Sequence, residues 1–275
     1  MKLIVGPSSP LLGKRVSDAS GIPIAETTYR KFPDGEIYVR VEDAKDNEFV
    51  VVNSLNSNDD LVFTMLVLDA LSGKEVTLVI PYMGYARQDR AFLDGEAVSI
   101  RAIARLLESY ASRVVTVNIH SEEAKGHFRK MAEVDAMGLI GEHYRGEDVV
   151  MLSPDRGSLE RVRRAAESAG CDFDYLEKTR IDAETVEIRP KNLDVSGRKV
   201  IIVDDIISTG GTVVTAAKQL KGDAESVEAA CVHAVLAGNA LNRLYSSGIS
   251  RVIATDTVER QVSVLSVARL IAGVL

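Results

Sequence analysis

The sequence predicts an α/β protein with largely parallel sheets flanked by helices, and two observations carry that prediction. Short runs rich in β-branched residues are apolar throughout, as in strands that are covered on both faces. Amphipathic stretches of helical period lie between them, and strand–helix alternation is typical of parallel sheets. The predicted strands are residues 3–5, 49–52, 76–80, 114–119, 149–152, 200–203, 228–232 and 251–254. The clearest predicted helices are residues 60–71, 97–109, 159–169 and 212–221.

The second half of the chain repeats the order of elements in the first half. A strand that enters a helix ending near Gly21 is matched by one that enters a helix ending near Gly170, and three further strands follow in the same order. The repeat is too long for a solenoid, so we expect two similar α/β domains in tandem. We place them at residues 1–142 and 143–275, with a final helix that can pack on the first domain. The alternative is the loose self-similarity of any α/β chain.

Composition and charge limit the classes of partner. The net charge of −7 gives no positive field for broad binding of nucleic acid or anionic membranes, so we expect neither as a partner. Apolar residues make up 46% of the chain, enough for a sizeable core, and no apolar stretch approaches the ~18 residues of a membrane span. Cys171 and Cys231 lack metal-ligand spacing, and we interpret them as core residues of a cytoplasmic protein.

Ligands of parallel sheets bind beyond the carboxyl ends of the strands, and polar residues collect there in this sequence. The residues after the strand 76–80 include Arg87, Gln88, Asp89 and Arg90, and His120 follows the strand 114–119. Asp155 follows the strand 149–152 within the run Ser-Pro-Asp-Arg-Gly-Ser. These segments predict one functional edge for each sheet.

The segment after the strand 200–203 is the most informative. It consists of Asp204 and Asp205, two apolar residues, and then Ser208, Thr209, Gly210, Gly211 and Thr212 at the start of a predicted helix. Small residues let backbone N–H groups approach a phosphate, and a helix N-terminus favours an anion. Adjacent carboxylates near an anion need hydroxyl groups or a metal ion to engage them. The segment therefore predicts a sugar-phosphate site, against the simpler alternative of a glycine-containing turn with Thr212 as the helix cap.

This segment resembles the ribose-5-phosphate motif shared by type I phosphoribosyltransferases and ribose-phosphate diphosphokinases, also called PRPP synthases. Further matches select the diphosphokinases: Phe-Pro-Asp-Gly-Glu at residues 32–36, Arg-Gln-Asp-Arg at 87–90 and Ser-Pro-Asp at 153–155. The resemblance covers essentially the whole chain and is closest to the compact archaeal members. It implies two tandem type I phosphoribosyltransferase-like domains. Ser208 departs from the Asp that many members carry at this position.

The resemblance also implies roles for residues that chemistry alone leaves open. It implies that Phe32, Asp34, Gly35 and Glu36 contact ATP bound to a neighbouring subunit, which requires a homodimer or a larger homo-oligomer. The alternative for that segment is a hairpin turn on Asp34 and Gly35, and the two are compatible. The other implied residues are Arg87 and Gln88 for ATP, His120 and Asp155 for Mg²⁺, and Lys178 and Arg180 for catalysis, with Arg180 also binding ribose 5-phosphate.

The implied reaction transfers the diphosphoryl group of ATP to O1 of ribose 5-phosphate, with Mg²⁺ as cofactor, and yields 5-phosphoribosyl 1-diphosphate (PRPP) and AMP. One alternative is a phosphoribosyltransferase that consumes this diphosphate, but it leaves the ATP-type segments unexplained. Another is a non-catalytic regulator that binds PRPP or ribose phosphate. Such a regulator is expected to lose Lys178, Arg180 or His120, and all three are present.

Overall fold

The computed structural model describes residues 1–42, 44–180 and 186–275, without the side chains of 178–180 and 186–189. The chain forms two compact units. The first comprises Met1–Asp135, Thr257–Glu259 and Ser266–Leu275, and the second comprises Ala136–Asp256 and Arg260–Leu265. The expected boundary at residues 142 and 143 lies at the end of the helix Met137–His143, shortly after this division.

The first unit is built on a parallel sheet of five strands, covered by helices. The strands of the unit are β1 (Lys2–Val5), β2 (Thr27–Lys31), β3 (Ile37–Val41), β4 (Glu48–Val52), β5 (Glu75–Ile80), β6 (Arg113–Val117) and β7 (Met131–Val134). The helices are α1 (Pro10–Ser20), α2 (Asn58–Ala70), α3 (Ser99–Tyr110), α4 (Glu122–Lys125) and, from the end of the chain, α9 (Ala268–Ala272). The sheet order is β1-β4-β5-β6-β7, and β2 and β3 form a separate antiparallel hairpin. Helix α9 packs on α1.

The second unit holds a sheet of seven strands. Its strands are β8 (Val149–Ser153), β9 (Asp172–Arg180), β10 (Val186–Pro190), β11 (Lys199–Ile206), β12 (Ser226–His233), β13 (Ile249–Thr255) and β14 (Ser263–Leu265). Its helices are α5 (Met137–His143), α6 (Leu159–Ala169), α7 (Gly211–Leu220) and α8 (Ala240–Ser246). The sheet order is β10-β9-β8-β11-β12-β13-β14, and all neighbours are parallel except β9 and β10.

The strand order confirms the predicted duplication. The order β1-β4-β5-β6-β7 in the first sheet recurs as β8-β11-β12-β13-β14 in the second, and every pair in both series is parallel. The predicted helix ends are also confirmed, because Gly21 and Gly170 cap α1 and α6 in the left-handed conformation that glycine adopts without cost. The fold class is therefore α/β with two tandem domains.

Both sheets are buried on their two faces, as the continuous apolar runs predicted. In β4, every residue after Glu48 is buried, and β8 is buried along its whole length. The first core includes Phe49, Leu78 and Leu107, which join the sheet to α3. No helix in the described part of the chain is long and apolar enough to cross a membrane.

The amino ends of the second sheet carry a buried polar cluster on the side away from the predicted site. The Tyr144 hydroxyl donates to Glu228 at 2.8 Å, and the ammonium of Lys199 lies 2.9 Å from the same carboxylate. Burial, followed by the hydrogen bond to Glu228, raises the pKa of Tyr144. Because each buried polar group here has a partner, the cluster is a structural brace between β11, β12 and α5.

Candidate active site

The loop between β11 and α7 has its carbonyl groups fixed by a neighbouring segment of the second unit. The carbonyls of Ile207, Ser208 and Thr209 accept hydrogen bonds from, in order, the N–H of Leu236 at 3.0 Å, the N–H of Ala237 at 3.1 Å and the Arg243 guanidinium. In a trans peptide the C=O and N–H point in opposite directions. The N–H groups of the following residues, Ser208, Thr209 and Gly210, therefore point away from this brace.

These N–H groups continue into the start of a helix. Gly210 has φ +73° and precedes Gly211, the first residue of α7. In the part of the chain that the structure describes, the N–H groups of residues 208–212 donate to no protein acceptor. Unpaired N–H groups at the positive end of a helix form a site for an anion such as a phosphate.

The equivalent loop of the first unit, between β4 and α2, is closed by its own chain. The N–H of Ser54 donates to the Ser9 hydroxyl at 3.0 Å, and the N–H of Leu55 donates to the Tyr82 carbonyl at 3.0 Å. The Asn53 side chain accepts from the Ser8 hydroxyl at 2.7 Å and donates to the Thr64 hydroxyl at 3.0 Å. Among the described residues, this loop therefore leaves fewer free N–H donors for an anion than the loop between β11 and α7.

Asp204 and Asp205 lie at the end of β11, which extends to Ile206 rather than ending at residue 203 as expected. In the parallel register of β11 with β12, Asp204 pairs with Cys231 and Ile206 pairs with His233. The two carboxylates have different surroundings. Asp205 is buried and lies 3.1 Å from the guanidinium of Arg161, whereas Asp204 is half-buried. Burial, and then the neighbouring charge of Asp205, raise the pKa of Asp204 well above its ordinary value.

The segment between β8 and α6 organises this acidic edge. The Ser158 hydroxyl lies 3.3 Å from Asp204 Oδ1, and the N–H of Ser158 donates to Asp155 Oδ1 at 3.1 Å. Asp155 is exposed, and its charge also raises the pKa of Asp204. Sequence reasoning missed Ser158 and Arg161, although their spacing of three residues at the start of a helix places them on one face.

In the first unit, the residues after β6 place His120 at the carboxyl edge of the sheet. Asn118 adopts φ +35° and donates from its side chain to Asp135 at 2.9 Å. The N–H of Ile119 donates to Glu133 at 3.0 Å. His120 is half-buried at the end of this braced turn.

The segment after β5 turns its predicted ATP residues outward. Arg87 is exposed and Gln88 is half-buried, whereas Asp89 between Gln88 and Arg90 is buried. The Gln88 side chain donates to the carbonyl of Arg90 at 3.1 Å. The structure thus leaves the Arg87 guanidinium in solvent, where it can bind an anion.

Residues 32–36 form the tip of the β2–β3 hairpin, which confirms the turn that Asp34 and Gly35 indicated. The N–H of Phe32 donates to the Glu36 carbonyl at 2.8 Å, and Gly35 has φ +95°. The tip is exposed, including 40% of Phe32. Arg30 lies over the Phe32 ring, with its guanidinium carbon 5.3 Å from the ring centre.

Lys178 and Arg180 are the predicted catalytic residues, and their side chains lie outside the described residues. Their backbone is strand rather than loop, because Lys178 pairs with Ile188 and Arg180 with Val186 in the antiparallel β9–β10 ladder. The connection at residues 181–185 lies outside the described part of the chain.

The comparisons with known proteins cover the whole chain. Residues 1–111 match the model of the N-terminal domain of ribose phosphate pyrophosphokinase, and residues 129–266 match that of the phosphoribosyl transferase domain. A ribose-phosphate pyrophosphokinase of Archaeoglobus fulgidus is 59% identical over 99% of each chain. One from Methanosarcina acetivorans is 45% identical over 100% of this chain and 99% of its own.

A solved structure agrees. The crystal structure of phosphoribosylpyrophosphate synthetase from Mycobacterium smegmatis matches with a TM-score of 0.84 and 32% identity, over 99% of this chain and 96% of that one. The geometry above agrees with three findings: a family model matches each unit, the relatives align over nearly their whole length, and the solved structure matches the fold of both units. The chain therefore belongs to the ribose-phosphate pyrophosphokinase family.

Proposed function

We propose that the chain transfers the diphosphoryl group of ATP to O1 of ribose 5-phosphate in the cytoplasm and produces PRPP and AMP. The observation that carries the proposal is the row of unpaired N–H groups at residues 208–212 beside Asp204. A phosphate at one end of a sugar and hydroxyl groups at the other satisfy both features at once.

The 5-phosphate of the sugar binds to the N–H groups of residues 208–212, where the α7 dipole adds to the hydrogen bonds. The ribose hydroxyls donate to Asp204, whose carboxylate lacks a cationic partner among the contacts that the structure gives it. Asp205 plays a different part, because its carboxylate is already held by Arg161. This division supports Asp204 as the sugar ligand and Asp205 as its support.

ATP binding is the part of the proposal that depends on the family. Arg87 binds phosphate oxygens in a forked arrangement, and Gln88 serves a polar atom of the nucleoside. Phe32, Asp34, Gly35 and Glu36 reach the nucleotide of a neighbouring subunit in a homo-oligomer. The exposed hairpin tip supports this assignment, because its ring and carboxylates are free to contact another chain.

The residues present fit a magnesium ion. No group of three or more carboxylate, imidazole or thiol side chains that could hold a metal converges among the described residues. Proteins hold Mg²⁺ through one or two carboxylates together with substrate phosphates, and Asp155 is an exposed carboxylate after β8. Burial, and then the neighbouring carboxylate of Asp205, raise the pKa of Asp204, so a cation nearby would favour its ionised form. The family resemblance makes His120, after β6, and Asp155, after β8, the candidate ligands for Mg²⁺, which would neutralise phosphate charge when bound.

In the reaction, O1 of ribose 5-phosphate attacks the β-phosphorus of ATP and loses its hydroxyl proton to solvent. The bond from that phosphorus to the α-phosphate oxygen breaks, and this oxygen leaves with its electron pair as part of AMP. The chemistry demands positioning and charge neutralisation more than covalent catalysis. Lys178 and Arg180 supply positive charge to the transferring group and to the departing AMP. Losing one such contact costs about 10²–10³ in rate.

The test is the formation of AMP and PRPP from ATP, ribose 5-phosphate and Mg²⁺. We expect equal amounts of both products, and a fall in kcat of about 10²–10³ in Lys178→Ala. Lys191→Ala is the matched control, because Lys191 is an exposed lysine paired with Glu177 beside the same hairpin. Unchanged kcat in Lys178→Ala would remove that residue from the mechanism.

The alternatives predict different products. A phosphoribosyltransferase would release diphosphate from PRPP when a free base is added and would make no AMP from ATP. A non-catalytic regulator would bind ribose 5-phosphate without turnover in either assay. Either result would overturn the proposed reaction.

A further inference from the structure

Asp89 is a buried carboxylate between the two surface segments that carry Arg87 and His120. Its exposed fraction is 8%, although it stands between the half-buried Gln88 and the exposed Arg90. A charged side chain is rarely buried unless it is paired. Asp89 Oδ1 lies 3.6 Å from Nε of the neighbouring Arg90, and its other contacts indicate what the residue holds in place.

The carboxylate of Asp89 binds the turn that follows His120. Its Oδ2 atom lies 2.5 Å from the hydroxyl of Ser121, the residue after His120. The same hydroxyl accepts a hydrogen bond from the N–H of Ala124 at 3.1 Å. Since that interaction uses a lone pair, the hydroxyl proton is available to the Asp89 carboxylate. A hydrogen bond to an ionised acceptor is among the stronger ones in proteins.

The backbone of Asp89 binds the same turn a second time. Its carbonyl oxygen lies 2.9 Å from Nε2 of His127, which follows helix α4. Ser121 and His127 flank α4 on both sides, so Asp89 contacts the start and the end of this turn. The preceding residue is also fixed, because the N–H of Gln88 donates to the Tyr85 carbonyl at 3.2 Å.

We propose that Asp89 is a positioning residue for the binding of ATP. Through its contacts with Ser121 and His127, it fixes the position of the Arg87–Gln88 segment relative to the turn that follows His120. The inference rests on the proposed function, because it takes Arg87, Gln88 and His120 as groups that contact ATP and its metal ion. Asp89 itself touches no substrate. Its effect is on the relative placement of two binding segments within the first unit.

The experiment measures binding of the Mg²⁺ complex of α,β-methylene ATP, a non-reacting analogue, to the full chain. Asp89→Ala is expected to raise the dissociation constant about tenfold, the effect of one hydrogen bond to a charged group. The KM for ribose 5-phosphate is expected to stay unchanged, because the residues 208–212 belong to the other unit. Asp89→Asn keeps an acceptor for Ser121 and should recover most of the affinity.

The control is Asp94→Ala, which removes an exposed aspartate five residues further along the same segment. It should leave both constants unchanged. Ser121→Ala is the second variant and removes the contact from the other side. If Asp89 acts through Ser121, the double variant should bind the analogue no more weakly than the weaker single variant.

Three results would overturn the inference: equal binding by Asp89→Ala and Asp94→Ala, additive effects of the Asp89 and Ser121 variants, or an equal loss of affinity for both substrates. The last result would indicate a general structural role. Because the analogue assay needs no turnover, weaker binding in Asp89→Ala would support the inference even if the wild-type chain made no AMP. Failure of the proposed reaction is thus separable from failure of this role.

Discussion

Asp204 and Asp205 show how two neighbouring residues of the same type take different tasks. Arg161 neutralises Asp205, so that carboxylate is buried without an unpaired charge. Asp204 faces a hydroxyl and a second carboxylate instead, and its pKa is raised. An acid with a raised pKa binds a proton more tightly in the folded state than in the unfolded state. The contribution of Asp204 to the stability of the ligand-free chain therefore falls as pH rises from about 4 towards the raised value.

This difference predicts opposite effects of two equivalent substitutions. Asp204→Asn removes the charge that folding disfavours and should raise the free energy of unfolding at pH 7, with a flatter dependence on pH. Asp205→Asn removes the negative charge that pairs with Arg161 and should lower the free energy of unfolding by about 1–3 kcal/mol. Urea unfolding of both variants between pH 5 and 8 measures this. A change of the same sign in both would show that Arg161 does not distinguish the two carboxylates.

The sequence predicted both aspartates but not the difference between them. Adjacent acids before a small-residue turn are visible in the primary structure. The residue that separates their roles is Arg161. It lies on helix α6 and contacts Asp205 of β11 only in the folded unit. The same limit applies to Asp89, whose burial depends on Ser121 and His127.

Among the elements, the loop from β11 to α7 matters most because its conformation exposes the N–H groups. Gly210 has φ +73°, and a Cβ atom there would lie 3.3 Å from the Leu244 side chain. Gly170, the cap of α6, has φ +75° with nothing within 4 Å of such a Cβ atom. The two glycines share a backbone conformation and differ in their surroundings.

Alanine at either position should therefore lower stability by about 1–2 kcal/mol, the cost of a left-handed residue with a side chain. Only Gly210→Ala should raise the KM for ribose 5-phosphate, by about tenfold, because it displaces the N–H groups that we propose as the phosphate site. Thermal unfolding and initial rates measure the two effects. An equal KM in both variants would contradict the assignment of residues 208–212.

Which elements the sequence could predict follows from burial. All eight predicted strands are present, because strands covered on both faces need continuous apolar runs. The hairpin of β2 and β3 was not predicted as strands, since β2 is almost wholly exposed and offers no apolar run. The β9–β10 pair was missed for a related reason, because its sequence is rich in charged residues such as Glu177 and Arg189.

At the scale of the whole molecule, one fold occurs twice, but only its second copy has the loop that we propose to bind sugar phosphate. Both sheets share a series of five strands, and in both a loop follows the second strand of that series, which is β4 in the first sheet and β11 in the second. In the first unit, this loop is tied down by Ser8, Ser9 and Asn53. In the second unit, the loop carbonyls accept hydrogen bonds from a neighbouring segment, and the N–H groups of residues 208–212 remain available to a ligand. The duplicated architecture therefore does not imply a duplicated site.

This asymmetry predicts a binding stoichiometry. Calorimetric titration with ribose 5-phosphate and Mg²⁺ should give one site per chain. Gly210→Ala should weaken that site about tenfold. Ser8→Ala should leave its dissociation constant unchanged and lower stability by about 1 kcal/mol, because the Ser8 hydroxyl only closes the equivalent loop of the first unit. Two sites per chain, or weaker binding in Ser8→Ala, would mean that the first unit also holds the sugar phosphate and that its internal hydrogen bonds open to admit it.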